Sequence, residues 1–304
     1  MKKILNFKIL QFLFSGLLIY WAFRKVDVGG LLREMSRVEW WWVVILLGYM
    51  AISVLIGGWR WAILVLGKPK LRQVLDFAKA AYAGAFFALF FPTALGGDLV
   101  KWTTLIKKYP EISKMKLASS TLIDRIVGFS AFVTMAISSL LLGKILKYNF
   151  PAYLMWLFLG LGGVTIIFYV IVFRVDFEKL LAKYQFLNKM VEVMDILKKS
   201  HQDRILRCYG ISLMAQLFWL CQVWLVGRAL GVMMNFMDIL IFMPVISLIL
   251  TLPISWAGFG MRENLFVYFF STVGYQPEQM LLVSTFLGTL GVLNALLGGL
   301  LLVF

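Results

Sequence analysis

Residues 40–66 read WWWVVILLGYMAISVLIGGWRWAILVL. A helix needs about 20 apolar residues to cross a hydrocarbon core, and this run has enough. Comparable runs fall at 8–23, 74–95, 117–142, 152–173, 205–230, 237–257, 262–275 and 279–303. The chain has 304 residues, 62% of them hydrophobic, against about 45–50% apolar in soluble domains. Mean hydropathy is +0.88. Too few polar residues remain to coat these runs in water. The reading is an all-α, polytopic membrane helix bundle, expected to form one domain over 1–304 with possible repeat halves 1–150 and 151–304.

The net charge is +15, from 30 Lys and Arg against 15 Asp and Glu. In a soluble protein this balance points to nucleic acid. Here the basic residues lie mostly between apolar runs, where positive-inside bias and anionic headgroups account for them, and no nucleic-acid partner is expected. Lys2 and Lys3 precede an apolar run from Ile9 to Phe23, but Arg24 and Lys25 follow where a cleavage site would need small residues. This is expected to be a retained first helix in a prokaryotic cytoplasmic membrane. Cys208 and Cys221 are about 20 Å apart along a helix, too far for a disulfide. With one histidine, His201, neither a zinc site nor a His-dependent triad is expected, and no cofactor, metal or catalytic constellation is assigned.

The basic stretch 174–207 is expected on the cytoplasmic side. Phe177, Leu180, Leu181, Tyr184, Leu187 and Val191 recur in it at helical spacing, as in a surface amphipathic helix. Parity then puts Lys144 and Lys147 outside and Lys101, Lys107 and Lys108 inside. If 74–95 dips in and returns, Lys68, Lys70 and Arg72 stay inside with Lys2, Lys3 and Lys8. That arrangement leaves fewer external positive charges and puts the N-terminus in the cytoplasm.

The run 74–95 leads into FFPTALGGD, with Pro92, Gly96 and Gly97 in apolar surroundings. Proline removes a backbone donor and glycine weakens a helix. Broken backbone at membrane depth requires protein or a water-filled cavity around it. The second half repeats the signal in TLPISWAGFGMRE, with Pro253, Gly258 and Gly260 followed by Arg262 and Glu263. Superposing Pro92 on Pro253 aligns Gly97 with Gly258 and brings Asp98 and Lys101 close to Arg262 and Glu263. Matching interruptions in two halves mark a transporter site, so two re-entrant segments in an inverted-repeat arrangement are expected. The plain alternative is a glycine-rich turn at each place.

Asp124 and Arg125 lie about 10 Å into their run at helical rise. Charges at that depth face the protein interior; Arg125 suits a lipid phosphate, and interhelical pairing is the structural alternative. Arg60, between Trp59 and Trp61, fits snorkelling to an aromatic belt. A second half-helix starting after Gly97 would put Asp98 at its N-terminus, leaving Lys101 to touch an anion. Arg262 is its counterpart, with Glu263 orienting it.

At these residues the chain resembles the lysylphosphatidylglycerol synthase transmembrane, or flippase-like, family. The likeness spans nearly the whole chain and rests on Trp59-Arg60-Trp61, the Pro92 to Lys101 segment, Asp124-Arg125, and Leu252-Pro253 through Gly258, Gly260, Arg262 and Glu263. It implies a membrane domain that moves or houses phospholipids or polyprenyl-linked lipids, without the cytosolic synthase domain. The last span departs from the family pattern: where an arginine is common, this chain reads FLGTLGVLNALLGG over 286–299, with Asn294 as the only amide of that stretch. The expected function is a lipid flippase whose cavity between the re-entrant segments is served by Arg60, Asp98, Lys101, Asp124, Arg125, Arg262 and Glu263. Expected partners are anionic or polyprenyl-linked lipids, with a lipid-modifying enzyme or a second copy as further candidates. No phosphate-cradling loop of an ATP motor is present. Two alternatives stand beside this reading. One is a glycosyltransferase using lipid-linked sugar, for which the first external loop offers only the spaced carboxylates Asp27, Glu34 and Glu39. The other is a non-transporting partner of a separate synthase.

Overall fold

The computed structural model of the protein describes Tyr20 and residues 28–89, 94–148, 150–174, 202–250, 255 and 258–300. These form ten helices and no strand. In chain order they are α1 (Val28–Ser36), α2 (Trp40–Leu66), α3 (Leu71–Ala88), α4 (Ala94–Lys108), α5 (Lys114–Ile145), α6 (Ala152–Arg174), α7 (Gln202–Ala229), α8 (Phe236–Leu250), α9 (Met261–Ser271) and α10 (Pro277–Leu300). Five of them, α2, α5, α6, α7 and α10, are long and apolar enough to cross a membrane. A helix satisfies its own backbone donors and acceptors in a medium without water, and the protein is a multi-pass membrane protein. The expected helix over 8–23 (Tyr20 apart), the amphipathic stretch over 177–191, Pro92 and Pro253 lie outside the described residues.

The local signals are physical. Ser113 caps α5, its hydroxyl accepting the Lys116 N–H at 3.1 Å. Inside α5 the hydroxyls of Ser120 and Thr121 both donate to the Leu117 carbonyl, at 2.8 and 2.9 Å. Helix α1 is not visible as an apolar run. Its Met35 packs with Leu281 and Leu282, so tertiary contact supports a segment that contains Gly29 and Gly30.

Both broken segments are helical hairpins. Gly84 on α3 faces Gly97 on α4 so closely that a Cβ on Gly97 would sit 2.5 Å from the Gly84 carbonyl oxygen. Further from the break, Asp76 accepts from Lys108 Nζ at 2.5 Å and from the Tyr109 hydroxyl at 2.7 Å. These contacts pair α3 and α4 antiparallel. In the second half Phe242 of α8 lies 5.8 Å from Phe269 and 5.5 Å from Phe270 of α9. There Gly258 and Gly260 take φ of 79° and 78°, a region that costs other residues strain. The segments α4, α8 and α9 have 15, 15 and 11 residues, short of the roughly 20 that a crossing needs.

One expectation is corrected. Helix α4 begins at Ala94, so Gly96, Gly97 and Asp98 lie within its first turns and not ahead of it. The glycines remain helical because Gly97 serves close approach to Gly84, a use that needs no kink.

The chain clusters into two compact units. The first comprises Met1–Val54, Lys79–Lys101 and Leu217–Phe304; the second comprises Leu55–Ala78 and Trp102–Gln216. The first therefore holds the tips of both hairpins. The second has a core of Ile63, Leu64, Ile123, Val127, Cys208 and Ile211.

Candidate functional site

In the first unit each hairpin carries an acid and a base just after its break. On α4, Lys101 Nζ lies 3.3 Å from Asp98 Oδ1, and Asp98 is buried. The stem of Lys101 runs over Gly84, where a Cβ would come within 2.6 Å of its Cγ. On α9, Arg262 Nη2 donates to Glu263 Oε1 at 2.6 Å. The second oxygen of Glu263 accepts the Gly260 N–H at 2.6 Å, which ties the carboxylate to the helix start, where negative charge is favoured. The Arg262 guanidinium stacks over Phe259 at 5.3 Å and occupies space left by Gly288 of α10. Its Nε is buried without a hydrogen-bond partner. The two sites thus share a plan: a buried carboxylate steadies a cation whose side chain lies on a glycine of a neighbouring helix.

The second unit holds a different constellation. Arg60 of α2 grips Asp124 of α5 with two bonds, Nε to Oδ1 at 2.6 Å and Nη2 to Oδ2 at 2.8 Å. Its Nη1 donates to Ser212 of α7 at 3.0 Å. Three helices are joined at this one guanidinium, and Trp61 Nε1 adds a bond to Ser120 at 2.9 Å. Arg60 therefore points into the protein and does not snorkel to an aromatic belt. The reason is Asp124: a carboxylate at that depth stabilises a planar fork of donors more than headgroup water does. Arg125, about 100° round the same helix, is exposed.

Arg60 and Asp124 meet each other, Asp98 meets Lys101, and Glu263 meets Arg262. Arg125 belongs to the second unit and Lys101 and Arg262 to the first. Both cysteines, Cys208 and Cys221, are free. At the first hairpin's far end, Tyr109 is pushed up to about 12, by burial first and then by its hydrogen bond to the Asp76 carboxylate.

Sequence reasoning missed two polar contacts in the first unit. Asn294 of α10 accepts from the Tyr82 hydroxyl at 3.1 Å. Asp238, at the start of α8, accepts from the Tyr275 hydroxyl at 2.7 Å. An acidic residue two positions into an apolar run was the available signal for the second. Among the described residues no group of three or more His, Cys, Asp or Glu is placed to hold a metal.

Comparison with curated proteins and with solved structures yields no significant match. The family described as the lysylphosphatidylglycerol synthase TM region matches residues 8–298, a stretch that includes both hairpins and the Arg60–Asp124 pair. The chain belongs to that family.

Proposed function

We propose that the protein binds a phospholipid or polyprenyl-linked lipid by its phosphate and moves it across the membrane without an ATP motor. The observation that carries this reading is the repeated acid–base pair behind two helical hairpins. A cation at each hairpin, steadied by a carboxylate and laid against a glycine, is preorganised to receive an anion. The orphaned Nε of Arg262 is a donor with capacity to spare; Arg125, on the exposed face of α5 in the second unit, is a separate candidate contact for anionic lipid.

In this reading the hairpins are re-entrant, entering from opposite faces, with the N-terminus and Lys107 cytoplasmic. Helices too short to cross, each folding back on its partner, support that arrangement. The site is a polar cavity between the hairpin tips, where Asp98 and Glu263 orient Lys101 and Arg262. Arg60 and Asp124 hold the helices of the second unit together.

The test is purified protein in liposomes carrying a labelled phospholipid or polyprenyl phosphate. Acceleration of lipid crossing over empty liposomes is expected. Arg262→Ala and Arg125→Ala should each lower affinity for anionic lipid by about 1.5–3 kcal/mol, the worth of a hydrogen bond to a charged group. Lysine at either position should restore only part, since it keeps the charge and loses the fork. Unchanged lipid binding with a lowered melting temperature would make both arginines structural.

A further inference from the structure

Asp238 is 4% exposed, and its surroundings suit an acid better than an anion. The Asn235 N–H donates to the Tyr275 hydroxyl at 2.7 Å, and that hydroxyl donates to Asp238 Oδ2 at 2.7 Å. The other oxygen, Oδ1, is buried and meets no donor. No cation pairs with Asp238 among the described residues. Nor does the carboxyl cap its helix: the Asn235 side chain accepts the Met237 N–H at 2.9 Å in that role. One turn on lies Phe242, in the aromatic cluster with Phe269 and Phe270, and Phe270 is 5.8 Å from Tyr275. A buried carboxylate with an undonated oxygen in apolar surroundings is costly, and taking up a proton removes its charge, the larger part of that cost.

We infer that Asp238 is a proton-binding site: with the proton on Oδ1 it seats the start of α8 against the turn after α9, and losing the proton leaves a buried charge that destabilises that seat. Other charges do not compensate it. Arg262 and Glu263 pair with each other at the far end of α9, and Tyr268 of that helix is 59% exposed. Arg228 is turned onto Met233 Sδ at 3.0 Å. Glu34 and Arg37 of the α1 segment form an exposed pair, and Glu278 is exposed. Tyr275 is the titratable group in contact. The link to transport rests on the lipid-moving reading: there, a proton bound and released at the second hairpin makes the proton the coupling ion.

The sign of the pH dependence follows. A carboxyl in the unfolded chain has a pKa of about 3.9. If the folded protein holds the proton more tightly, the resulting stability is complete below that value and is lost as pH rises through the folded pKa. The experiment measures unfolding of wild type and Asp238→Asn from acid to mildly alkaline pH. The asparagine is a neutral isostere, so its curve should lack the slope. Wild type should lose about tenfold in folding equilibrium per pH unit relative to the variant across the window. Parallel curves would overturn the inference. Should the variant not fold, infrared spectroscopy of wild type decides: a protonated-carboxyl carbonyl band that shifts in Tyr275→Phe is expected at neutral pH, and no such band overturns it. In liposomes, a pH gradient should bias lipid movement by wild type and not by Asp238→Asn. No movement by either protein would refute the transport reading while leaving the stability result standing.

Discussion

Asp124 shows how one residue can be read correctly by depth and incompletely by partner. Its position well inside an apolar run demanded a neighbour, and Arg60 supplies it through two bonds. Side-chain exposures of 15% for Arg60 and 21% for Asp124 leave some solvent screening, so the lower end of the range for breaking a buried pair applies. Asp124→Asn should destabilise the protein by about 3 kcal/mol, because it leaves Arg60 uncompensated. A paired replacement by apolar residues of similar volume, such as Arg60→Met with Asp124→Leu, should recover most of the loss. A double-mutant cycle on unfolding in detergent measures this; additive losses would mean that the pair is not coupled. Arg262 makes the complementary case. Its adjacent glutamate was visible in the sequence, but its seat against Gly288 joins residues remote in the chain.

At the scale of elements, glycines decide how closely the helices pack. Gly97→Ala would place a Cβ 2.5 Å from the Gly84 carbonyl oxygen, backbone that cannot swing aside, and should cost about 1–3 kcal/mol by overpacking. Gly291→Ala, in α10 with nothing within 4 Å of its Cβ, should be neutral or stabilising by up to about 1 kcal/mol. Comparable losses at both would remove close approach as the reason for Gly97. From the sequence, leucine at Gly96 and Gly97, where the backbone must bend or approach closely, is expected to impair function more than leucine at Gly298 and Gly299. For stability the packing draws no such distinction: a Cβ on Gly298 would lie 2.7 Å from the Tyr82 ring, and one on Gly299 2.5 Å from the Phe86 ring. Leucine at either position should therefore destabilise as leucine at Gly97 does, and any special role of the hairpin glycines must be sought in the activity of folded variants.

At the scale of the whole molecule, the charge pattern makes a topological prediction. A cysteine introduced near Lys107 should react only from the cytoplasmic side and one near Lys147 only from outside, since α5 runs between them as a single candidate span. Labelling of both from one side would overturn it. The sequence by itself determined the class of protein and the extent of its long helices, because apolar length and hydrophobic composition are properties of consecutive residues. It also picked out Gly258 and Gly260, which take positive φ ahead of α9, because glycine acts on the backbone where it stands. Tertiary structure alone decided that Arg60 turns inward, that α1 is helical, that α4 begins before its glycines, and that Asp238 has an oxygen with no donor. Each of these depends on which remote residue arrives, Asp124, Leu281, Gly84 or Tyr275, and interactions of that kind are set by packing between helices, to which periodicity along one segment is blind.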